Sequence, residues 1–185
     1  MERKIYSELL EWKNDPESKP LILLGCRQVG KTFIVREFGD KEYDSIIYLN
    51  FADNPGDRLL FQGDLDADKL ADRIIVSKNL SADGRTLLIL DEIQECDDAY
   101  YSLKPLSSKK RFDIIATGSF LGVTLEYRKK EDGQDDHRVS PMGYATIRRM
   151  YPMDFEEFLW AMGVSCDLIS EVKDSVRKGT EIDLY

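Results

Sequence analysis

One eight-residue segment constrains the fold of this chain more than any other. Residues 25–32 have the sequence GCRQVGKT and match G-x-x-x-x-G-K-[S/T] at every fixed position. Two glycines at this spacing let the backbone wrap a phosphate with its N–H groups pointing inward, and the N-terminus of a following helix adds positive charge. An apolar run at 21–24 precedes the loop and a helical pattern follows it. We therefore predict a phosphate-binding strand–loop–helix unit; the alternative is a glycine-rich turn without a ligand.

Each loop position has an expected role. Lys31 is expected to reach the β- and γ-phosphates of a nucleotide, and the Thr32 hydroxyl to coordinate Mg²⁺. Cys26 places a thiol beside the loop, where its oxidation would block binding; the alternative is a small side chain packed under the loop. The predicted nucleotide-binding residues are Gly25, Cys26, Arg27, Gln28, Val29, Gly30, Lys31 and Thr32.

A second motif places two acids at the end of an apolar run. Residues 87–94 have the sequence LLILDEIQ. Asp91 is expected to hold Mg²⁺, and Glu92 to orient and polarise an attacking water. Alone, the pattern also fits any strand that ends in acids. With the upstream loop it favours a hydrolase over a small-molecule kinase, in which the acceptor replaces water.

A third motif, IIATGSFLG at 114–122, ends a strand in hydroxyl side chains. Ligands of open α/β sheets bind at the carboxyl ends of the strands, so Thr117 or Ser119 could sense the γ-phosphate or hold the water. A simple strand-terminating turn is the alternative. The spacing does not choose between the two hydroxyls.

Hydrophobic patterning predicts strands that alternate with helices. The predicted strands are 21–24, 46–51, 86–90, 113–117 and 144–150, and the predicted helices are 5–12, 33–39, 65–80, 98–106 and 154–163. This alternation indicates parallel βαβ units in an α/β sandwich. In the last helix we expect Phe155, Phe158, Leu159 and Met162 to share one face and pack against the sheet. The charged segment 128–138 is expected to be an exposed loop.

Composition excludes several classes of protein. The chain carries 26 Lys+Arg against 35 Asp+Glu, a net charge of −9, which argues against a nucleic-acid coat or a membrane-surface binder. Three distant cysteines without CxxC spacing argue against a disulfide framework and favour a reducing, cytoplasmic location. No apolar run approaches the roughly 18 residues of a membrane span. The single histidine, His137, lies among charges, so histidine-dependent catalysis is not expected.

The three motifs, in this order, resemble those of the AAA+-like ATPases of bacteria and archaea. The chain resembles more specifically a large family described only as predicted ATP-binding proteins, through RKIYSELLEWK, GCRQVGKT, IIYLNF, LLILDEIQ, the TGS strand and MYPMDFEEFLWAMG at 150–163. The resemblance implies a three-layer P-loop NTPase sandwich with a mostly parallel five-stranded sheet in the order 5-1-4-3-2. It also implies ATP and Mg²⁺ as ligands and the Walker A, Walker B and sensor roles given above.

Family members are usually longer and continue into a helical or winged region and a nuclease-like domain. We therefore expect an ATPase core at 1–163 and the start of a truncated helical region at 164–185. A ring-forming homo-oligomer would need an arginine from its neighbour. The candidates, each equally compatible with a solvated charge, are Arg27, Arg111, Arg128, Arg138, Arg148 and Arg149.

The leading hypothesis is Mg²⁺-dependent ATP hydrolysis that drives a conformational or DNA-related process. One alternative is an ATP-operated binding switch whose turnover is negligible without the expected C-terminal part or an unidentified protein partner. Another is an ATP-dependent DNA-transaction protein, for which Lys109, Lys110 and Arg111 are weak evidence. A small-molecule kinase fits the fold, but no acceptor motif is visible.

Overall fold

A computed structural model describes residues 3–63, 66–78, 84–119 and 143–179. Within these ranges five strands form one sheet: β1 (Leu21–Gly25), β2 (Ser45–Asn50), β3 (Thr86–Asp91), β4 (Asp113–Gly118) and β5 (Thr146–Met150). Their order is β2-β3-β4-β1-β5, and every pairing is parallel. Seen from the other edge, this is the predicted order 5-1-4-3-2, which is confirmed. The charged segment 128–138 and His137 lie outside the described residues.

Six α-helices lie within the described residues, and the first of them precedes β1. They are α1 (Lys4–Asn14), α2 (Lys31–Glu42), α3 (Ala67–Ser77), α4 (Asp97–Ser108), α5 (Phe155–Ala161) and α6 (Cys166–Lys178). Two 3₁₀ helices, Pro55–Phe61 and Ile93–Glu95, were not predicted. None of the described helices has the length and apolar composition needed to cross a membrane.

The α2 helix runs three residues past the predicted end at Gly39. A Cβ at this glycine would lie 2.8 Å from Cδ1 of Ile46, so the position accommodates a close approach between α2 and β2. Tyr43, after the last helical residue, has an extended backbone. Gly39 is therefore a packing glycine inside the helix rather than its terminator.

Helices cover both faces of the sheet. Along β1, Leu21 and Leu23 join the core beneath α1 and α2, while Ile22 and Leu24 join the core beneath α3 and α4. Every residue of β1 and β3 is buried, as expected for central parallel strands covered on both sides. The expected three-layer α/β sandwich is confirmed.

The predicted packing of α5 is wrong. Phe155, Phe158 and Met162 are 74%, 48% and 69% exposed, whereas Glu157 on the other face is only 6% exposed. A capping box begins the helix: Asp154 accepts from the backbone N–H of Glu157 over 2.9 Å, and the Glu157 carboxylate accepts from the backbone N–H of Asp154 over 3.1 Å. The helix docks through this charged face because Glu157 pairs with a buried arginine, Arg3. The expected domain boundary at 163/164 stays a prediction.

Candidate active site

The glycine loop lies between the end of β1 and the start of α2. A Cβ at Gly25 would lie 2.6 Å from the carbonyl oxygen of Met150, so no larger residue fits without a shift of β5. Gly30 has φ = +98°, a left-handed conformation that L side chains rarely adopt. Gln28 also has a positive φ of 64°. The backbone itself therefore requires both motif glycines.

Lys31 is a buried cation that points back at its own loop. It is only 5% exposed, and its Nζ donates to the carbonyls of Gly25 at 3.1 Å and Cys26 at 3.0 Å. These carbonyls satisfy two of the three ammonium donors within the loop. The loop thus keeps a positive charge at its centre.

The carboxylate of Asp91 is the hub of the site. It is 1% exposed and accepts hydrogen bonds from four side chains. Thr32 Oγ1 lies 2.9 Å, Tyr48 Oη 2.7 Å and Asn50 Nδ2 3.2 Å from Oδ2, and Thr117 Oγ1 donates to Oδ1. A buried carboxylate requires such partners, because its desolvation is otherwise very unfavourable. The structure brings both predicted metal-binding residues, Thr32 and Asp91, into direct contact.

Tyr48 and Asn50 were not predicted as site residues. They lie two positions apart on β2, so they share a face, and the sheet register places Asn50 beside Asp91. Burial, followed by the hydrogen bond to Asp91, raises the pKa of Tyr48 to about 12. Its hydroxyl therefore remains a donor near neutral pH. In the sequence, the two polar residues inside an otherwise apolar strand were the signal that could have identified this part of the site.

Glu92 directly follows β3 in a left-handed conformation, with φ = 53°. Its backbone N–H donates to Thr117 Oγ1 over 3.3 Å, and its carboxylate accepts a hydrogen bond from the Gln94 amide. Gln94, a third residue that was not predicted, therefore orients the predicted catalytic carboxylate. Thr117 contacts both acids, whereas Ser119 is half-buried one residue beyond β4.

A cavity of about 500 Å³ adjoins the loop. Loop residues 26–30 line one side, and Met150, Pro152 and Met153 line the other. Cys26 is exposed at this edge, so its expected packing under the loop is wrong. The suggestion that its oxidation blocks binding stays a prediction.

A family model described as an AAA domain matches residues 17–159, more than half of the chain. This chain belongs to the AAA domain family. The loop and both acids lie within the matched residues. Sequence and fold together make it an AAA-like P-loop protein of the ATPase class.

Two solved structures resemble this AAA domain only distantly. Caenorhabditis elegans PCH-2 has 18% identity and a TM-score of 0.47, with 98% of this chain and 48% of that chain covered. AMPPCP-bound DnaA from Aquifex aeolicus has 17% identity and a TM-score of 0.45, with 97% and 51% covered. The chain thus spans about half the length of each. No curated protein matches the chain significantly.

The metal-binding potential of the AAA domain rests on few side chains. Among the described residues, no group of three or more His, Cys, Asp or Glu side chains could hold a metal ion. Thr32 and Asp91 supply oxygen ligands, which suit Mg²⁺ because this ion usually keeps waters and substrate phosphates in its shell. The donor set therefore fits a magnesium ion bound together with a nucleotide.

Three of the four candidate arginines that the structure describes have partners within the AAA domain. Arg111 pairs with Asp72 at 2.7 Å and Arg148 with Glu8 at 3.1 Å. Arg149 has an interaction within the chain, and Arg27 is exposed on the loop. Arg128 and Arg138 lie outside the described residues.

The basic segment 109–111 contacts the body of the protein. Lys109 pairs with Asp68 at 2.6 Å, and Lys110 donates to the carbonyl of Pro16 over 3.3 Å. With Arg111 also paired to Asp72, this segment offers little free positive charge for a nucleic-acid backbone.

Proposed function

We propose that this AAA domain binds Mg-ATP and hydrolyses it to ADP and phosphate. The observation that carries the proposal is the hydrogen bond from Thr32 to Asp91, which joins the loop motif to the acidic motif. Glu92 follows Asp91 directly, at the carboxyl ends of the strands. The residues expected for binding, metal coordination and water activation therefore form one site.

Binding would exchange internal hydrogen bonds for contacts with phosphate. Lys31 would release the carbonyls of Gly25 and Cys26 and donate to phosphate oxygens instead. A contact between the ammonium and a phosphate joins two opposite charges, whereas a carbonyl offers only a dipole, so the exchange favours the nucleotide. Thr32 and Asp91 would hold Mg²⁺, which neutralises phosphate charge when bound.

Hydrolysis needs a base near the γ-phosphate. Glu92 would accept a proton from the attacking water at its carboxylate, oriented by the Gln94 amide. Thr117 would hold the Asp91 carboxylate and the backbone of Glu92 in place through its two hydrogen bonds. Ser119, one residue beyond β4, would sense the γ-phosphate or hold the attacking water.

The cavity beside the loop would take the base and ribose. Its volume of about 500 Å³ lies within the range of small-molecule sites. Met150, Pro152 and Met153 offer an apolar wall against which a flat base can pack. The remaining loop residues, Cys26 to Gly30, form the opposite side.

Calorimetry with ATP, ADP and GTP, with and without Mg²⁺, tests binding, and phosphate release tests turnover. We expect Mg-dependent ATP binding by the wild type and none, or at least tenfold weaker binding, by Lys31→Ala. Equal affinities of the two proteins would contradict the proposal.

A binding switch with negligible turnover is the second candidate. It is favoured by the hydrogen bond that the Gln94 amide donates to Glu92, which occupies one of the two carboxylate oxygens of the proposed base. The switch predicts tight ATP binding with slow turnover that is independent of protein concentration. Release of the carboxylate in Gln94→Ala would then raise turnover, whereas the ATPase hypothesis predicts a fall.

The process driven by hydrolysis is proposed to be conformational rather than DNA-related. The net charge of −9 and the internal pairing of Lys109 and Arg111 support this choice. Salt-dependent DNA binding by the chain would contradict it. Cytoplasmic location and homo-oligomer formation stay predictions.

A further inference from the structure

A buried arginine precedes the first helix and reaches three separate parts of the fold. Arg3 is 7% exposed. Its Nη1 donates to the carbonyl of Val29 over 3.3 Å, and its Nη2 donates to the carbonyl of Tyr151 over 2.7 Å. Its Nε lies 3.2 Å from Oε1 of Glu157. The guanidinium thus joins the glycine loop, the segment after β5 and helix α5.

The Glu157 carboxylate is itself fixed by backbone hydrogen bonds. Oε1 also accepts from the backbone N–H of Lys4 at 2.8 Å, and Oε2 accepts from the N–H of Asp154 at 3.1 Å. The carboxylate is therefore a fixed negative charge beside the Arg3 guanidinium. A buried ion pair adds little net stability, because desolvation offsets the attraction between its charges. Net stability therefore does not explain why this ion pair is also connected to the glycine loop.

The contact with Val29 bears directly on phosphate binding. The carbonyl of Val29 and the N–H of Gly30 belong to one peptide unit, which is planar and trans. The two groups therefore point in opposite directions. By holding the Val29 carbonyl, Arg3 fixes the direction of the Gly30 N–H on the other side of the same peptide, and this N–H is one of the expected loop donors.

The contact with Tyr151 bears on the cavity wall. Tyr151 immediately precedes Pro152 and Met153, which face the loop across the cavity. Arg3 therefore bridges the loop and the opposite wall, and is itself part of the cavity lining.

We propose that Arg3 is a positioning residue of the nucleotide site, which orients the loop and its facing wall and which Glu157 holds in place. The inference rests on the proposed nucleotide binding. Through Glu157, the same contacts couple nucleotide binding to the N-terminus of α5.

Lys4 provides a matched control. It also links α1 to α5, through ion pairs with Asp154 at 2.6 Å and Glu156 at 2.7 Å. Its side chain is 45% exposed and contacts the N-cap Asp154 together with Glu156 and Trp160 of α5. Lys4→Gln therefore weakens the attachment of α5 without disturbing the loop.

The decisive variant is Arg3→Lys. A lysine can pair with Glu157, but its single ammonium cannot reproduce the fork that reaches two carbonyls as well. We expect Arg3→Lys to retain most of the thermal stability and to bind ATP about fivefold or more weakly. Inorganic tripolyphosphate should lose affinity too, because the loop itself is affected. Lys4→Gln should bind both ligands within about twofold of the wild type.

Affinities are measured by calorimetry well below the unfolding temperature of each protein. Hydrogen exchange in the wild type gives a second readout: ATP should slow exchange at the amides of Lys4 and Asp154, which donate to Glu157. Arg3→Lys should lose this protection.

An ATP affinity of Arg3→Lys equal to that of the wild type would overturn the inference. It would also be overturned if the losses of ATP affinity in the Arg3 and Lys4 variants were simply proportional to their losses of melting temperature. Unchanged exchange at the two amides on ATP binding would overturn it without any variant. If the wild type bound neither ATP nor tripolyphosphate, the proposed function would fall and the inference with it.

Discussion

Thr32 donates a hydrogen bond to Asp91 over 2.9 Å, although 59 residues separate them in the chain. Thr32 lies in the first turn of α2, which follows β1, and Asp91 ends β3. Strand β4 lies between β1 and β3, and its Thr117 also donates to Asp91. The sheet order therefore brings three separate sequence motifs to one carboxylate.

Lys31→Ala should abolish Mg-ATP binding or weaken it at least tenfold. The lysine contributes a charge-assisted contact with phosphate, worth roughly 1.5–3 kcal/mol. Isothermal calorimetry measures the loss. Lys41→Ala is the matched control, because Lys41 lies on the same helix, is exposed and pairs with Glu37. It should bind ATP like the wild type; an equal loss in both variants would indicate a general effect of charge.

The two acids should respond differently to neutralisation. Asp91→Asn should weaken the Mg²⁺ dependence of ATP binding, because Asp91 is the proposed metal ligand. Glu92→Gln should preserve binding and lower hydrolysis by about 10²-fold or more, because Glu92 is the proposed base. Binding is followed by calorimetry and turnover by phosphate release.

Glu95→Gln is the control for this pair. Glu95 is exposed three residues further on and pairs with Arg58 at 3.5 Å. Its neutralisation should leave both binding and turnover unchanged. If Asp91→Asn and Glu92→Gln lost binding equally, Glu92 would be structural and the ATPase proposal would fail.

The phosphate loop and the sheet could be predicted because their determinants are local. A glycine spacing, an apolar run and two terminal acids each lie within about ten residues of sequence. The resemblance to an ATPase family supplied the strand order. Tyr48, Asn50 and Gln94 were missed because their importance depends on neighbours across the sheet or within a turn, which periodicity does not reveal.

For α5, in contrast, the sequence pattern predicted the wrong orientation of the helix. An apolar stripe predicts which residues share a face, but it does not identify the surface that the face meets. Here the tertiary contact is electrostatic: Glu157 is buried against Arg3, which leaves Phe155 and Phe158 outside. Two residues 154 positions apart decide this packing, so no local pattern could have indicated it.

Gly25→Ala should disrupt the site through the backbone. The added Cβ would meet the carbonyl oxygen of Met150 at 2.6 Å, which forces the loop or β5 to move. We expect a loss of ATP binding of tenfold or more, roughly 1.4 kcal/mol, together with a lower melting temperature. Gly56→Ala is the control, because its Cβ would lie 3.4 Å from Asn54, an ordinary contact. Wild-type binding by Gly25→Ala would show that the loop tolerates this shift.

Phe155→Ser should change the free energy of unfolding by less than about 0.5 kcal/mol. The ring is 74% exposed, so its removal deletes little buried surface. Leu9→Ala, on the fully buried face of α1, should cost roughly 2–5 kcal/mol and calibrates the measurement. Urea denaturation of the three proteins gives the comparison. A loss in Phe155→Ser as large as that in Leu9→Ala would restore the expectation that this face packs against the sheet.

Tyr48→Phe should destabilise the protein in a manner that depends on pH. The change removes the hydroxyl that donates to Asp91 over 2.7 Å, a bond to a charged acceptor worth roughly 1.5–3 kcal/mol. Thr32, Asn50 and Thr117 remain as donors to Asp91, so we expect the lower end of that range.

The pH dependence follows from the raised pKa of Tyr48, about 12 in the folded state against 10.0 ordinarily. Below pH 10 the hydroxyl is protonated in both states, so the stability difference between wild type and Tyr48→Phe should be constant. As the pH rises from 10 towards 12, the unfolded state loses its proton first, and the advantage of the wild type should shrink. Urea denaturation from about pH 8 to about pH 11.5 measures this difference. A difference that stayed constant across the alkaline range would show that the pKa of Tyr48 is not raised in the folded protein, contrary to the burial and the hydrogen bond described here.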